Sequence, residues 1–90
     1  MEEKFLTAWQ AARETAQKLG VRLRPMELNL QNACRALQGN RVSDGFWTLA
    51  DLGRLDLSLE ALAVKKAFTG LFSDREANTA LTRLLEAEHF

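Results

Sequence analysis

Residues 2–20 read EEKFLTAWQAARETAQKLG, and their apolar side chains recur at the pitch of an α-helix. Successive members of the set are four, three, four and three positions apart, which places them on one narrow face at about 100° per residue. Gly20 follows where helices commonly end in a left-handed residue. The pattern predicts a first helix over residues 2–19. Its apolar face consists of Phe5, Trp9, Ala12, Ala16 and Leu19.

Two further helices are predicted in the middle of the chain. Pro25 suits the first position of a second helix over residues 25–38, because proline has the backbone angle of a helix and lacks the amide hydrogen that would be unpaired there. Ser43 or Asp44 is a candidate cap for a third, shorter helix over residues 44–54. The apolar face of the second helix is predicted to contain Met26, Leu30, Ala33 and Leu37, with Cys34 beside it.

The last two helices have clear starting signals. Asp56 or Ser58 is the candidate cap of a fourth helix over residues 57–69, which is apolar on two sides and is therefore expected in the middle of a bundle. Ser73-Asp74-Arg75-Glu76 has the spacing of a capping box and predicts a fifth helix over residues 73–88. The predicted core face of this helix consists of Ala77, Ala80, Leu81, Leu84 and Leu85.

Length and composition agree with one all-α domain spanning residues 1–90. The chain has no tyrosine, one proline and few β-branched residues, which disfavours a sheet. Connections of two to six residues force neighbouring helices to pack on one another. We therefore predict a compact bundle of about five helices with short connections and some steep crossings, since the third helix is short.

The sequence lacks the usual signals for secretion, membrane insertion and catalysis. Its N-terminus is acidic, no run approaches the roughly 20 apolar residues of a membrane span, and Cys34 is the only cysteine. His89 lies one residue from the C-terminus, where a catalytic base is hard to hold in place. We therefore expect a cytoplasmic protein that is not an enzyme, with no metal, no cofactor and no membrane partner.

Charge is balanced overall but unevenly distributed. The chain has twelve basic and twelve acidic residues, yet residues 18–41 contain five basic side chains and a single acidic one, Glu27. A helical projection of residues 25–38 puts Arg35 and Leu28 on the outer face, with Gln31 beside them. Arg22, Arg24 and Arg41 fall in the flanking connectors. The candidate partner-binding residues are therefore Arg22, Arg24, Leu28, Gln31, Arg35 and Arg41. The alternative is a solvated face balanced by folded-in acidic residues such as Glu86 and Glu88.

Two functional hypotheses follow from these features. The first is a helical protein–protein interaction module, because arginine is favoured at interfaces; its partner would be another protein, with a second copy of the chain as one candidate. The stripe on residues 2–19 would either close the core of one chain or pair two chains. The second hypothesis is a small nucleic-acid-binding or transcription-regulatory protein, using either residues 18–41 or residues 48–68, whose rhythm resembles a helix-turn-helix.

Overall fold

A computed structural model describes residues 1–88, which form five α-helices and two short 3-10 helices and contain no strand. The all-α prediction is confirmed: the helices pack into a compact globule. The α-helices are α1 (Glu2–Lys18), α2 (Leu30–Gln38), α3 (Phe46–Asp51), α4 (Leu59–Ala63) and α5 (Asp74–Glu88). The 3-10 helices are Leu55–Leu57 and Lys66–Phe68.

Helix α1 packs against the core along its apolar stripe. Its apolar stripe is buried within the chain as far as Ala16, so the stripe closes the core and is not available to pair two chains. Phe5 makes edge-to-face contacts with Phe68 and Phe72 at ring-centroid distances of 5.3 and 5.1 Å. Gly20, with φ of 92°, ends the helix as predicted, and it turns the chain so that the next residue bonds back to the carbonyl of Ala16.

Helix α2 begins five residues later than predicted, at Leu30 instead of Pro25. The Asn29 side chain accepts the amide hydrogen of Asn32 at 2.8 Å and so acts as the true cap. Residues 19–29 form an irregular connector, which is longer than the predicted short connections. The helical projection therefore does not apply to Met26 and Leu28, and both of their predicted orientations are wrong: Met26 is exposed and Leu28 packs against the core.

The middle of the chain is more broken than predicted. Helix α3 starts after Gly45, and neither Ser43 nor Asp44 caps it, because both side chains bind other partners. The predicted helix over residues 57–69 is interrupted: five residues of α4 are flanked by the two 3-10 helices. The predicted cap at Ser58 is confirmed, since its hydroxyl accepts the amide hydrogen of Ala61 at 3.1 Å.

Helix α5 starts as predicted but presents a different face to the core. The capping box forms: Ser73 Oγ accepts the Glu76 amide at 3.1 Å, and the Ser73 amide donates to Glu76 Oε1 at 2.8 Å. Ala80 is buried as predicted, but Leu81 and Leu85 are exposed. Arg83 takes the inward position because α2 and α4 offer it oxygen acceptors, as described below.

Candidate partner-binding groove

An open groove lies where the end of α2, the turn after it and the start of α3 meet. Its volume is about 790 Å³. Three of the predicted partner-binding arginines line it: Arg24 from the connector, Arg35 from α2 and Arg41 from the turn. Residues that are distant in sequence are thus brought together, because the connector folds back beside the end of α2.

The groove has an excess of positive charge. Within residues 1–88, the ion pairs are Arg54–Asp56 and Arg83–Glu60, so the guanidinium groups of Arg24, Arg35 and Arg41 pair with no carboxylate there. The single acidic residue of the lining is Asp44, whose carboxylate accepts the backbone N–H of Arg24. Within residues 1–88, neither Glu86 nor Glu88 forms an ion pair with these arginines.

Two large apolar side chains of the groove lining are exposed. Trp47 is 46% exposed and Met26 is 39% exposed. The Trp47 ring packs edge-to-face on buried Phe46, with centroids 5.2 Å apart, which holds the indole at the rim. Sequence reasoning missed both residues. Phe46 and Trp47 are neighbours on one helix and point about 100° apart, and α3 buries Phe46 while leaving Trp47 exposed.

The other predicted partner-binding residues lie outside the groove. Arg22 and Gln31 are exposed but do not line it. Leu28 is partly buried, packs against the core and does not line the groove. Three of the six predicted residues thus line one groove, and their role in binding a partner stays a prediction.

A buried polar cluster fixes the backbone of that turn. Glu60 is fully buried; it accepts the Ser43 amide at 2.8 Å, the Ser43 hydroxyl, and Arg83 Nη1 at 3.0 Å. Arg83 also donates to the carbonyl oxygens of Ala36 and Gly39, at 3.0 and 2.8 Å. Ala36 lies in the last turn of α2 and Gly39 directly follows the helix, where carbonyl groups lack helical partners. We call Ser43, Glu60 and Arg83 the polar clamp.

The polar clamp has a direct consequence for the groove. Its hydrogen bonds hold the chain on both sides of Arg41. Arg83 binds the Gly39 carbonyl oxygen before it, and Glu60 binds the amide and hydroxyl of Ser43 after it. The turn is therefore held in place while the Arg41 guanidinium stays in the groove lining. Sequence reasoning missed the clamp; the available signal was Glu60, a lone carboxylate within the apolar run of residues 57–63.

A second set of contacts places Arg24. Arg13 on α1 donates through Nη2 to the carbonyl oxygen of Arg24 at 2.6 Å and through Nη1 to Met26 Sδ at 3.6 Å. The Asp44 carboxylate accepts the backbone N–H of the same residue, Arg24. The connector therefore carries Arg24 and Met26 to the groove through defined hydrogen bonds, although it has no regular secondary structure.

The remaining titratable candidates do not assemble into a second site. Burial, with a further contribution from nearby Glu76, raises the pKa of the Cys34 thiol, so the thiol stays protonated at neutral pH. Among residues 1–88, no three His, Cys, Asp or Glu side chains lie close enough together to hold a metal ion. His89 lies outside the described residues.

The helix-turn-helix interpretation of residues 48–68 is wrong in its geometry. The helix that would enter a DNA groove is α4, which has only five residues. Leu59, Leu62 and Ala63 on it are buried, and α4 packs between α1 and α5. A recognition helix must present polar side chains to base edges from the protein surface. This segment instead forms part of the core.

Neither a membrane-spanning helix in the described residues nor a similar known protein indicates the function of this chain. Within residues 1–88, no helix has both the length and the apolar character needed to cross a bilayer. The chain matches no protein-family model, no curated protein and no solved structure. Function is therefore inferred from the geometry and charge of the groove.

Proposed function

We propose that this chain is a non-enzymatic binding module that holds an acidic segment of another protein in the arginine-lined groove. The observation that carries the proposal is the convergence of Arg24, Arg35 and Arg41 on one groove beside exposed Trp47. The proposal includes a cytoplasmic setting, in which the lone Cys34 stays reduced.

The chemistry of the lining defines the ligand. A guanidinium group presents a planar fork of N–H donors that matches a carboxylate bidentately. Trp47 and Met26 add an apolar contact surface next to these charges. Tryptophan and arginine are also the residues that most often dominate the energy of protein–protein interfaces. The expected ligand is a segment rich in Asp or Glu with an aliphatic or aromatic side chain among them.

A protein ligand fits the charge of the molecule better than a nucleic acid. Affinity for nucleic acid comes mainly from many lysine and arginine contacts to phosphates. Here the whole chain is formally neutral, and three arginines share the groove with Asp44. Nucleic-acid binding therefore becomes an outcome against which the proposal is tested.

The test uses two dye-labelled peptides measured by fluorescence polarisation. One probe is rich in Glu and carries a single Leu; the other has every Glu replaced by Gln. We expect the Glu probe to bind at least tenfold more tightly, and its affinity to fall as salt rises because the charges are screened. Binding should also change the emission of Trp47, a change that Trp47→Phe removes.

Matched variants locate the site. Arg35→Glu/Arg41→Glu reverses two groove charges, whereas Lys18→Glu/Arg22→Glu reverses two charges of the same basic segment outside the groove. We expect the first pair of substitutions to lower the affinity for the Glu probe at least tenfold. The second pair should change that affinity less than about threefold, since screened charges act mainly at short range. Equal losses in both pairs, equal binding of the Gln probe, or tighter binding of a DNA or RNA oligonucleotide would overturn the proposal.

A further inference from the structure

We propose that the acidic segment binds in extended form and continues past the groove, over Gly39 and Asn40, into a second cleft on α5. This inference rests on the proposed function and specifies the length and conformation of the ligand. The second cleft has a volume of about 550 Å³. Gly39 and Asn40 line both concavities, so the two form one continuous path across the surface.

The second cleft repeats the chemistry of the first. Arg75 lines it and, within residues 1–88, forms no ion pair. Asn78 and Thr82 follow on the same face of α5, at helical spacings of three and four residues. Their amide and hydroxyl groups can bond the backbone of a passing peptide, whereas the Thr79 hydroxyl already donates to the carbonyl oxygen of Arg75.

Arg83 lies in the lining of this cleft but is not a ligand contact. Its guanidinium is occupied by Glu60 and by the carbonyls of Ala36 and Gly39. Arg75 is therefore the residue of the second cleft from which we expect charge recognition. The first carboxylates of the segment would pair with Arg35 and Arg41, and a later carboxylate would pair with Arg75.

Gly39 is the feature that lets a chain cross between the clefts. Its backbone angles, φ of −76° and ψ of 173°, are open to any residue, so the fold does not require glycine here. A Cβ at this position would meet only the Arg35 carbonyl oxygen and the Arg41 nitrogen, at ordinary distances of 3.8 and 4.0 Å. A Cβ at this exposed position therefore meets no close obstacle, and a larger side chain here would extend into the path of the ligand.

An extended ligand suits this path better than a helical one. Extended chain advances about 3.3 Å per residue, against about 1.5 Å in a helix. The molecule measures 30 × 27 × 22 Å, so an extended segment of roughly six to ten residues is long enough to reach from one cleft to the next. Extended backbone also leaves its N–H and C=O groups unpaired and so available to Asn78 and Thr82.

The experiment compares a short and a long version of the Glu-rich probe, of about four and about ten residues, the longer of which can span both clefts. We expect the long probe to bind wild type at least tenfold more tightly than the short one. Arg75→Glu should abolish that advantage and leave the affinity for the short probe within about twofold. Gly39→Leu, at a residue that lines both concavities, should also abolish the advantage of the long probe. Lys66→Glu, the same charge change at an exposed site outside both clefts, should preserve the advantage.

Each outcome discriminates between the two proposals. If the short probe binds through Arg35 and Arg41 but the long probe gains nothing, or keeps its gain in Arg75→Glu, the extended path is overturned and the groove proposal stands. If neither probe binds wild type, both proposals fail. Thermal unfolding of Arg75→Glu and Gly39→Leu verifies that both variants fold; an acidic residue in the first turn of α5 is favourable to that helix.

Discussion

Arg83 and Glu60 form an ion pair inside the protein, with Nη1 and Oε2 3.0 Å apart and side chains that are 8% and 0% exposed. Burying two charges is tolerated here because each has further hydrogen-bond partners: Ser43 on Glu60, and the carbonyl oxygens of Ala36 and Gly39 on Arg83. The pair joins α4 to α5, which are neighbours in sequence, and the same atoms join both helices to the turn beside the groove.

Breaking the pair from one side should be more damaging than removing it entirely. Glu60→Leu or Arg83→Leu leaves one buried charge without its counter-ion, and we expect each to lower the free energy of unfolding by about 3–5 kcal/mol. The double variant should lose clearly less than the sum of the two, since no unpaired charge remains. Urea unfolding of the three variants measures the coupling. Strictly additive losses would show that the two charges do not depend on each other.

The capping box should make stability sensitive to acid through Glu76. Burial acts to raise the pKa of Glu76, but hydrogen bonds from the Ser73 amide, Gln38, the Ser73 hydroxyl and Cys34 outweigh it and bring the pKa below the ordinary value of 4.5. Because the folded state binds this proton less tightly than the unfolded state, ionised Glu76 stabilises the fold above about pH 4.5. That contribution is lost as pH falls through the lower folded pKa.

Glu76→Gln isolates this effect. We expect it to lower the free energy of unfolding at pH 7 by about 1 kcal/mol, a typical value for a helix cap, and to flatten the loss of stability between pH 5 and pH 3. Glu86→Gln on the exposed side of the same helix is the matched control. It should change neither the free energy of unfolding at pH 7 nor the loss of stability between pH 5 and pH 3. Identical pH profiles for wild type and Glu76→Gln would contradict the assignment.

Gly45 is required by both its backbone angle and its surroundings. Its φ is 76°, and a Cβ there would lie 2.8 Å from side-chain atoms of both Val21 and Leu23. Gly53 has a similar φ of 70° but open space around the same position, so it is a matched control. Gly53→Ala should cost about 1–2 kcal/mol of unfolding free energy from the left-handed backbone alone. Gly45→Ala should cost about 1–3 kcal/mol more, because the connector must shift.

Equal melting temperatures for the two alanine variants would show that Val21 and Leu23 move aside without cost. The groove adds a second readout, because Gly45 lines it and the connector carries Arg24. We expect Gly45→Ala to lower the affinity for the Glu-rich probe in addition to the stability, whereas Gly53→Ala should lower the stability alone.

Local signals predicted the parts of this structure that depend on local contacts. Helix α1, its end at Gly20, the cap at Ser58 and the Ser73–Glu76 box all involve residues within five positions of one another, so the sequence displays them directly. The charge density of residues 18–41 singled out Arg24, Arg35 and Arg41, but it did not predict that these three side chains line one groove.

The incorrect predictions share a different physical origin. Ser43 and Asp44 have the right chemistry to cap α3, yet the buried carboxylate of Glu60 and the amide of Arg24 are the partners they bind. Arg83 faces the core because its guanidinium donates there to the carbonyl oxygens of Ala36 and Gly39 and to the carboxylate of Glu60. These contacts span 17 to 47 positions, and only the folded chain brings the groups together.

The face of α5 that the apolar pattern assigned to the core should tolerate polar residues. Leu81 is 47% exposed and Leu85 is 48% exposed. We expect Leu81→Gln and Leu85→Gln to change the free energy of unfolding by less than about 0.5 kcal/mol each. Leu37→Ala, at a fully buried site of α2, should cost about 2–5 kcal/mol. Losses above 2 kcal/mol for either α5 variant would place that face in the core after all.

The groove arginines should be dispensable for folding, in contrast to Arg83. Arg24, Arg35 and Arg41 pair with no carboxylate in the described part of the chain, and gathering like charges in one groove opposes folding. Replacing all three with Gln should therefore leave the free energy of unfolding unchanged or raise it by about 0.5–1 kcal/mol, with the larger gain at low salt where screening is weak. Urea unfolding at two salt concentrations measures this. A loss of stability would mean that these side chains serve the fold, and a loss of probe binding in that variant would then no longer identify a binding site.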